Sequence, residues 1–575
     1  MAIDFTLMAG GAAGQGIQFL GQTLAKALAS GGFYIFADQD YESRVRGGHN
    51  FFRVRASDRE VLALSPSLDI LIALNDETVE LHRKEMKNKG VIIVDREQSK
   101  AKYLGENYLS IPLTKIAMDI VGNKLMTNTV AAGAALALAS YDIDPLLDIL
   151  KKDLAKSGEK AVQGNIDAAK AGYDFVQQNA RAKPGQELKR QGRPAKRMLL
   201  NGNEAVSLGA MAGGCKFMTG YPMTPSSSIM EYLAVKGARY GIVTIHVEDE
   251  ISAINMAVGA GFAGVRSMTA TSGGGFALMV EGLALAGMTE TPVVIVLGQR
   301  PGPATGLPTR TEQGELWFAL HAGHGEFPRA VLAPATAEDT FWATVKAFNL
   351  AEKYQTPVIM LTDHHLASSY RTVDKYDLKQ VNIERGEWLS DQQANKTADY
   401  KRHQVTDSGI SPRAYPGQGK ALVVTDSDEH DEFGHMIEDA ETRIQQASKR
   451  LHKLEGLKNE ISDPEFQEQA GAEMTFIGWG STYGAIREAA DLLQQEKVKV
   501  NHLHLTELWP FPSDAVAKIL KKSGKSVVIE NNATGQVAQL IRRETGIKVD
   551  STITKFDGRP FSPQSIVERL KKEVA

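Results

Sequence analysis

The chain has 575 residues, 43% of them hydrophobic and 23% charged, with a net charge of −4. At roughly 100–200 residues per domain this length predicts about three or four domains, each able to bury its own core. A mildly acidic balance argues against a nucleic-acid binder, which carries a basic face, and the single cysteine, Cys215, excludes both an intramolecular disulfide and a four-cysteine metal cage. The N-terminus lacks a basic stretch followed by an apolar one, and no apolar run reaches about eighteen residues, so neither a signal peptide nor a membrane span is expected and the expected location is the cytoplasm.

In chain order, short apolar runs alternate with helical patterns, as in α/β architecture. Residues 1–180 hold strand-like runs at FTLM, LDILIAL (68–74) and VIIVD (91–95), and a helix with Ile17, Leu20, Leu24 and Leu28 on one face. Residues 181–197, RAKPGQELKRQGRPAKR, are basic and rich in Gly and Pro, which predicts a solvated linker, with a basic surface strip that meets a partner or an anionic cofactor as the alternative. Residues 198–385 place strands at 243–246, 267–272, 293–298 and 357–363, spaced as in a doubly wound sheet. From 386 to 470 the pattern becomes polar and ends in the charged helix ETRIQQASKRLHKLEGLKNE, which predicts an inserted connector or arm. Residues 471–575 return to α/β, with strands at 474–480, 498–505 and 526–531.

Several stretches carry chemistry. GGAAGQG (10–16) follows a strand and opens a helix, where glycines admit a phosphate to backbone N–H groups. Its spacing is not that of a dinucleotide fold. Asp38 falls roughly where a ribose-binding acid belongs, although ADQDYESRVRGGHN resembles a loop. Gly10, Gly14, Gln15 and Gly16, with Arg46 from RVRGGH (44–49), form a candidate anion loop, and a plain tight turn remains the alternative.

TGYPMTPSSSIMEYL (219–233) is the most unusual stretch: Pro222 and Pro225 stiffen it, and Thr224 and Ser226 to Ser228 offer hydroxyls at a helix start. Hydroxyls there ordinarily cap the helix; a binding role needs them to face a carboxylate, helped by the helix dipole. In HVEDEISAINM, acids in a first helical turn ordinarily suit the helix dipole, but Glu250 stands against the apolar part of the helix, where a desolvated carboxylate makes a useful acid or base. TATSGGGFALMVEGL (269–283) reads as a strand, a triple glycine and a helix, which binds a ligand or merely makes a close turn. The Gly/Pro loop QRPGPATGLPTRTEQGEL (299–316) follows a strand at the edge where α/β ligands bind, and its Arg300 and Arg310 are candidates for pairing with a carboxylate, solvated loop arginines being the ordinary alternative. SDEHDEFGH (427–435) gathers acids and histidines without a strong metal spacing, so a solvated acidic loop is expected and no metal site is assigned.

Together these segments resemble the 2-oxoacid:ferredoxin oxidoreductases, specifically an alpha subunit with its gamma domain fused in front. YPMTPSS (221–227) is a near copy of the family's Y-P-I-T-P-S-S motif with Met223 for isoleucine, and EDE (248–250), TATSGGG, GQRPGPATGLPT (298–309), ISPRAYPG (410–417), DEHDEFGH and ENNATGQ (530–536) follow in the family's order. The resemblance implies a gamma-like domain, a domain holding the aminopyrimidine of thiamine diphosphate, and a transketolase C-terminal-like domain. It makes Glu250 the glutamate at the pyrimidine N1′, which favours the imino tautomer that removes the thiazolium C2 proton. It puts Thr224, with Tyr221 and Ser226, at the substrate. Arg310, with Arg300 as second choice, would pair with the substrate carboxylate, and Pro222, Pro225, Ser272 and Gly273 would lie along the cofactor. It assigns the 10–16 loop to closing the site where coenzyme A arrives.

Absences extend the implication. No G-D-G…N-N pattern is present to hold a diphosphate through magnesium, and one cysteine cannot hold a [4Fe-4S] cluster. Both are therefore expected in a separate beta subunit, with thiamine diphosphate across the interface, ferredoxin as electron acceptor, and a dimer of alpha–beta heterodimers as the assembly. No nucleic acid or membrane partner is expected. The fused layout points to 2-oxoglutarate, with pyruvate, branched-chain or aryl 2-oxoacids as alternatives. A non-redox transketolase-type enzyme, a nicotinamide dehydrogenase built on GGAAGQG and a non-catalytic scaffold subunit are the rivals of other classes.

Overall fold

The computed structural model describes residues 3–43, 47–100, 103, 105–180, 182–191, 196–397 and 399–573. These divide into two compact units: residues 1–200 with 368–375, and residues 201–367 with 376–575.

Among the described residues, the first unit is built on one eight-stranded sheet. Asp4–Ala12 pairs in parallel with Leu68–Ala73 and antiparallel with His49–Ser57. Buried on both faces, Leu68–Ala73 is apolar but for Asp69, which accepts from Thr6 N and Lys87 Nζ. Helix Ile17–Ser30 lays Ile17, Leu20, Leu24 and Leu28 into the core beside Phe5, Leu7 and Phe52. Two sequence expectations change here. ADQD is the end of strand Tyr34–Asp40 rather than a loop. Asp38 is no ribose acid, because Arg53 donates to both its oxygens, Nε at 2.9 Å and Nη2 at 2.8 Å. Nor is the 181–197 stretch a solvated tether where it is described: Leu188 is fully buried in the core of this unit, and its N–H donates to Ala139 O. A short strand from much later in the chain, Tyr370–Val373, also lies in this sheet, between Tyr34–Asp40 and Met198–Leu200.

The second unit holds a seven-stranded and a five-stranded sheet among the described residues. In the larger, Val293–Gln299 is central and wholly buried, parallel to Ser267–Thr271 on one side and Pro357–Asp363 on the other. Phe217–Gly220 and Val243–His246 continue the parallel order outward. The smaller sheet centres on Met474–Trp479, parallel to Val500–Leu505 and Lys525–Glu530. One apolar cluster joins the two sheets, from Ile295 and Ile359 to Ile477, Trp479 and Leu503. Strand Glu507–Trp509 leaves the smaller sheet's segment to pair antiparallel with Ala330–Leu332 of the larger.

The polar stretch before the last sheet is tied down by buried charge. Helix Ala440–Glu460 sends Lys449 and Lys453 to Glu290, which also accepts from His403 Nδ1 at 2.9 Å. Two acids of SDEHDEFGH are likewise occupied: Glu429 pairs with Arg443 and Arg450, and Glu432 with Lys401. Among the described residues no group of three or more His, Cys, Asp or Glu side chains is placed to hold a metal ion, and no helix is long and apolar enough to cross a membrane.

Candidate active site

Parallel strands end their hydrogen bonding on one edge of the sheet, and the loops that follow them gather there. In the larger sheet of the second unit these loops begin at Tyr221, Ser272, Arg300 and His364, after strands Phe217–Gly220, Ser267–Thr271, Val293–Gln299 and Pro357–Asp363.

Glu250 opens helix Glu250–Phe262, with Asp249 as the N-cap accepting from Ser252 N at 2.7 Å. The cap side chain takes the usual first-turn role of an acid, which leaves Glu250 for something else. Glu250 is 3% exposed, and its Oε1 is buried without a hydrogen-bond partner. A Cβ on Gly275 would fall 2.5 Å from that oxygen and closer still to Thr271 Oγ1. The glycine therefore makes the room in which the carboxylate lies. Beside it, Ser272 at the N-cap of helix Gly273–Met288 is fully buried, with an unpartnered Oγ and no capping bond. Unsatisfied buried oxygens are costly. Two at one helix start, Ser272 at its N-cap and Glu250 against Gly275 in its first turn, form a cradle that fits a polar ring edge.

The YPMTPSS loop is braced from below. Asn203 Nδ2 donates to Pro225 O at 2.7 Å, and Gly298 lets Pro225 pack on its strand, where a Cβ would meet Pro225 Cγ at 2.9 Å. Arg300 Nη1 donates to Thr224 O at 2.6 Å, so these two candidate substrate residues do meet. Ser226 is buried at the N-cap position of helix Ser227–Lys236, yet its hydroxyl donates to Met223 O and makes no capping bond, contrary to the expected capping role. Tyr221 and Pro222 are exposed, the Tyr221 ring lying 6.0 Å from that of His246.

The loop after Val293–Gln299 is fixed by glutamines. Gln299 Oε1 accepts from Glu315 N at 3.0 Å. Gln313 is stapled to ENNATGQ, its N–H donating to Asn531 O at 2.7 Å and its Nε2 to Trp479 O at 2.9 Å. ENNATGQ is thus a brace between the two sheets, closed by Glu530, which accepts from Val537 N and Asn532 Nδ2 at 2.8 Å each. Arg310 passes over Gly558, and both Arg310 and Arg300 act on His364, whose pKa is pushed down to about 3 by burial, His365 and the two arginines. Burial, only partly offset by Glu315, lowers the pKa of Arg300 from the ordinary guanidinium value. Sequence reasoning missed Glu315, Gln313, Asn203 and His364; only the place of Glu315 and Gln313 in a post-strand loop, and of Asn203 and His364 at helix starts directly after strands, could have flagged them.

In the first unit, Gln15 closes its own loop, its Oε1 accepting from Ala12 N at 2.6 Å, and Gly16 has φ 72 at the start of helix Ile17–Ser30. Gly14, Gln15 and Gly16 line a cavity of about 260 Å³ with Lys124, Thr127 and Asn128. Gly10 lies within strand Asp4–Ala12, packed toward Thr78 and His49. Arg44 and Arg46 lie outside the described residues.

Residues 208–449 match the model for the thiamine-diphosphate-binding domain of pyruvate flavodoxin/ferredoxin oxidoreductases. Residues 6–175 match pyruvate ferredoxin/flavodoxin oxidoreductase, and 472–566 match core domain II of pyruvate:ferredoxin oxidoreductase. With the α/β fold and the Glu250 cradle, these matches define an oxidoreductase chain with a thiamine-diphosphate-binding domain. The 2-oxoacid:ferredoxin oxidoreductase subunit alpha of a Sulfolobus species is 35% identical, over 98% of this chain and 96% of its own length. The 2-oxoglutarate synthase subunit KorA of Archaeoglobus fulgidus is 34% identical over 65% of this chain and 99% of its own. A solved 2-oxoglutarate:ferredoxin oxidoreductase from Magnetococcus marinus, with 2-oxoglutarate, coenzyme A and succinyl-CoA bound, is 33% identical, covers 100% of both chains and superposes with a TM-score of 0.91. The chain belongs to the 2-oxoacid:ferredoxin oxidoreductase alpha-subunit family.

Proposed function

We propose that this chain is the alpha subunit of a 2-oxoglutarate:ferredoxin oxidoreductase, catalysing coenzyme-A-dependent oxidative decarboxylation to succinyl-CoA, carbon dioxide and reduced ferredoxin. The observation that carries the proposal is the buried Glu250 carboxylate with an unpartnered oxygen in the room left by Gly275. When bound, thiamine diphosphate supplies the carbon nucleophile and electron sink that 2-oxoacid decarboxylation needs. The residues of the cradle fit its aminopyrimidine: Glu250 Oε1 would hold a proton against the ring nitrogen, and Ser272 and Gly273 would lie along the ring edge. Arg300 and Arg310 would bind the anionic substrate, with Arg300 fixed by Thr224 O. Two cations bearing on neutral His364 suit a dicarboxylate, and the names of the KorA relatives and of the Magnetococcus enzyme favour 2-oxoglutarate over pyruvate.

The same proposal includes a beta subunit. The sequence has one cysteine, so the [4Fe-4S] cluster, and with it the Mg²⁺ that holds the diphosphate, is assigned to that partner, the cofactor being shared at the interface. The 10–16 loop, with Lys124 at its cavity, is assigned to coenzyme A. The domain scheme is 1–180 gamma-like, 181–197 a connecting segment that packs on that domain through Leu188, 198–385 pyrimidine-binding apart from the strands Met198–Leu200 and Tyr370–Val373 that complete the first sheet, 386–470 connector and 471–575 transketolase C-terminal-like; a dimer of alpha–beta heterodimers working in the cytoplasm completes it. The test is co-expression with the partner and assay of viologen reduction. Strict dependence on coenzyme A and at least tenfold higher kcat/KM for 2-oxoglutarate than for pyruvate are expected; a preference for pyruvate overturns the substrate assignment.

A further inference from the structure

The triple glycine 273–275 has a carboxyl group at each end. Glu250 occupies the space beside Gly275, and Glu315 occupies the space beside Gly273, where a Cβ would stand 2.7 Å from Glu315 Cδ and closer still to its Oε1. Resting on the function proposed above, we propose that Glu315 is a second acid of the active site, a neutral carboxyl that donates a hydrogen bond to the 2-oxo oxygen of the substrate.

Three observations support this. First, Glu315 is held in place from its backbone: its N–H donates to Gln299 Oε1 at 3.0 Å, and Gln313, two residues before it, is clamped to the smaller sheet by Asn531 and Trp479. A side chain set so rigidly on a loop at the ligand edge can present a group with little entropy loss. Second, the residue is only partly exposed and its Oε2 is buried without a partner. A carboxylate there would leave several lone pairs unfilled, whereas a carboxylic acid needs only one acceptor for its proton. Third, the charged groups facing it divide the site. Glu312, on the same loop, disfavours the anion; among the described residues Arg300, just after the central strand, is the cation acting on it; the helix start opposite holds Ser272 and the glycines 273–275, all uncharged, and Gln536 on the adjoining helix is neutral. Burial first and Glu312 second raise the pKa of Glu315 to about 8 against the pull of Arg300. The carboxyl beside Gly275 is then the one for the cofactor, and the one beside Gly273 stands next to Arg300, which with Arg310 is proposed to bind the anionic substrate. The 2-oxo oxygen gains negative charge as the carbonyl is attacked, and a donor fixed there stabilises that charge.

The sign follows from the protonated form being the donor. The acid is intact below about 8 and ionises above it, where the anion both loses the donated bond and competes for Arg300. In the alpha–beta complex, kcat/KM for the 2-oxoacid should therefore fall on an alkaline limb beginning near pH 8. Glu315→Gln, which keeps a donor and cannot ionise, should lose about threefold to tenfold at pH 7 and lose that limb. Glu315→Met, without a donor, should lose more at pH 7 and also lack the limb. An unchanged limb in Glu315→Gln, or a Glu315→Met enzyme equal to the parent at pH 7, overturns the proposal. A readout free of turnover is the infrared carbonyl band of a protonated carboxyl in the chain itself, titrating near pH 8 and missing in Glu315→Gln; its presence in that variant also overturns the proposal. Failure of every form to use a 2-oxoacid would instead strike the function proposed above, and the infrared band would still decide the state of Glu315.

Discussion

Glu250 and Gly275 occupy complementary space: a Cβ on the glycine would lie 2.5 Å from the carboxylate oxygen that has no other partner. This relationship makes Glu250→Gln the sharpest test of the site. Glutamine keeps the shape but loses the charge that holds a proton at the pyrimidine nitrogen. In the reconstituted complex thiamine diphosphate should still bind, while turnover falls about 10²–10⁴-fold, the range of general acid–base contributions. Glu248→Gln is the control, because Glu248 precedes the helix and the N-cap between them is Asp249. Hydrogen–deuterium exchange at C2 of the bound cofactor should slow only in the Glu250 variant; normal exchange there removes Glu250 from the mechanism.

Gly275→Ala approaches the same relationship from the other side. Alanine gains helix propensity of about 1 kcal/mol over glycine, so a purely structural glycine would tolerate it. Here the added methyl must displace Glu250 or Thr271. The expected outcome is a folded chain whose complex binds thiamine diphosphate at least tenfold more weakly by calorimetry. Unchanged affinity would show that the space beside Gly275 is not used by the cofactor.

Much of this was legible in the sequence, and the misses have physical causes. Strands such as Val293–Gln299 are buried on both faces and so read as unbroken apolar runs, and the motifs that follow them fall at the sheet edge where ligands bind. Glu250 stood out because an acid adjoined an apolar helix. What could not be read was pairing at long range. Asp38 looked like a ribose-binding acid until Arg53, on the neighbouring strand, took both its oxygens. Leu188, the lone large apolar side chain near the middle of a basic stretch, gave no periodic signal, yet it is buried in the first unit's core. Glu315 did not stand out within the Gly/Pro loop 299–316, because the space it fills lies beside Gly273, some forty residues away. Ser226 followed the capping rule in position but not in bonding.

Glu290 carries the fold of the polar stretch. It is fully buried against Lys449, Lys453 and His403; burial opposes its charge, but the two lysines hold its pKa well below the usual carboxylate range. Glu290→Gln leaves two buried ammonium groups without a counter-charge, a change that costs about 3–5 kcal/mol when one partner of a buried pair is removed. Thermal unfolding should begin several degrees lower. Adding Lys453→Met to Glu290→Gln should recover part of the loss, since the pair is coupled. Additive effects of the two substitutions would mean that the cluster does not act as a unit.

Cys215 is the chain's single thiol, and burial pushes its pKa up to about 12. A thiol that does not readily ionise is a poor iron ligand. Purified alone, the chain should show no iron–sulfur absorption and no 2-oxoacid-dependent viologen reduction. Purified with its beta subunit it should be brown and active. Colour and turnover in the chain alone would remove the need for a partner.

Arg310 and Arg300 divide the substrate-binding prediction. Arg310 is the first choice for the carboxylate of the 2-oxoacid, and Arg310→Ala should raise KM for the 2-oxoacid far more than for coenzyme A. Losing one charge-assisted bond in a partly dry pocket costs about 1.5–3 kcal/mol, which is roughly tenfold to a hundredfold in KM where KM reports binding. Arg300 has a competing role, because its Nη1 donates to Thr224 O at 2.6 Å and so braces the YPMTPSS loop. Arg300→Ala should therefore loosen that loop and lower kcat as well as raise KM, whereas Arg310→Ala should act mainly on KM. Arg300→Lys separates the two functions of that side chain, since lysine restores charge without the planar fork that reaches the carbonyl while leaving a face for the substrate. If Arg300→Ala alone raises KM for the 2-oxoacid and Arg310→Ala does not, the carboxylate belongs to Arg300, and Arg310, lying over Gly558, serves the loop instead.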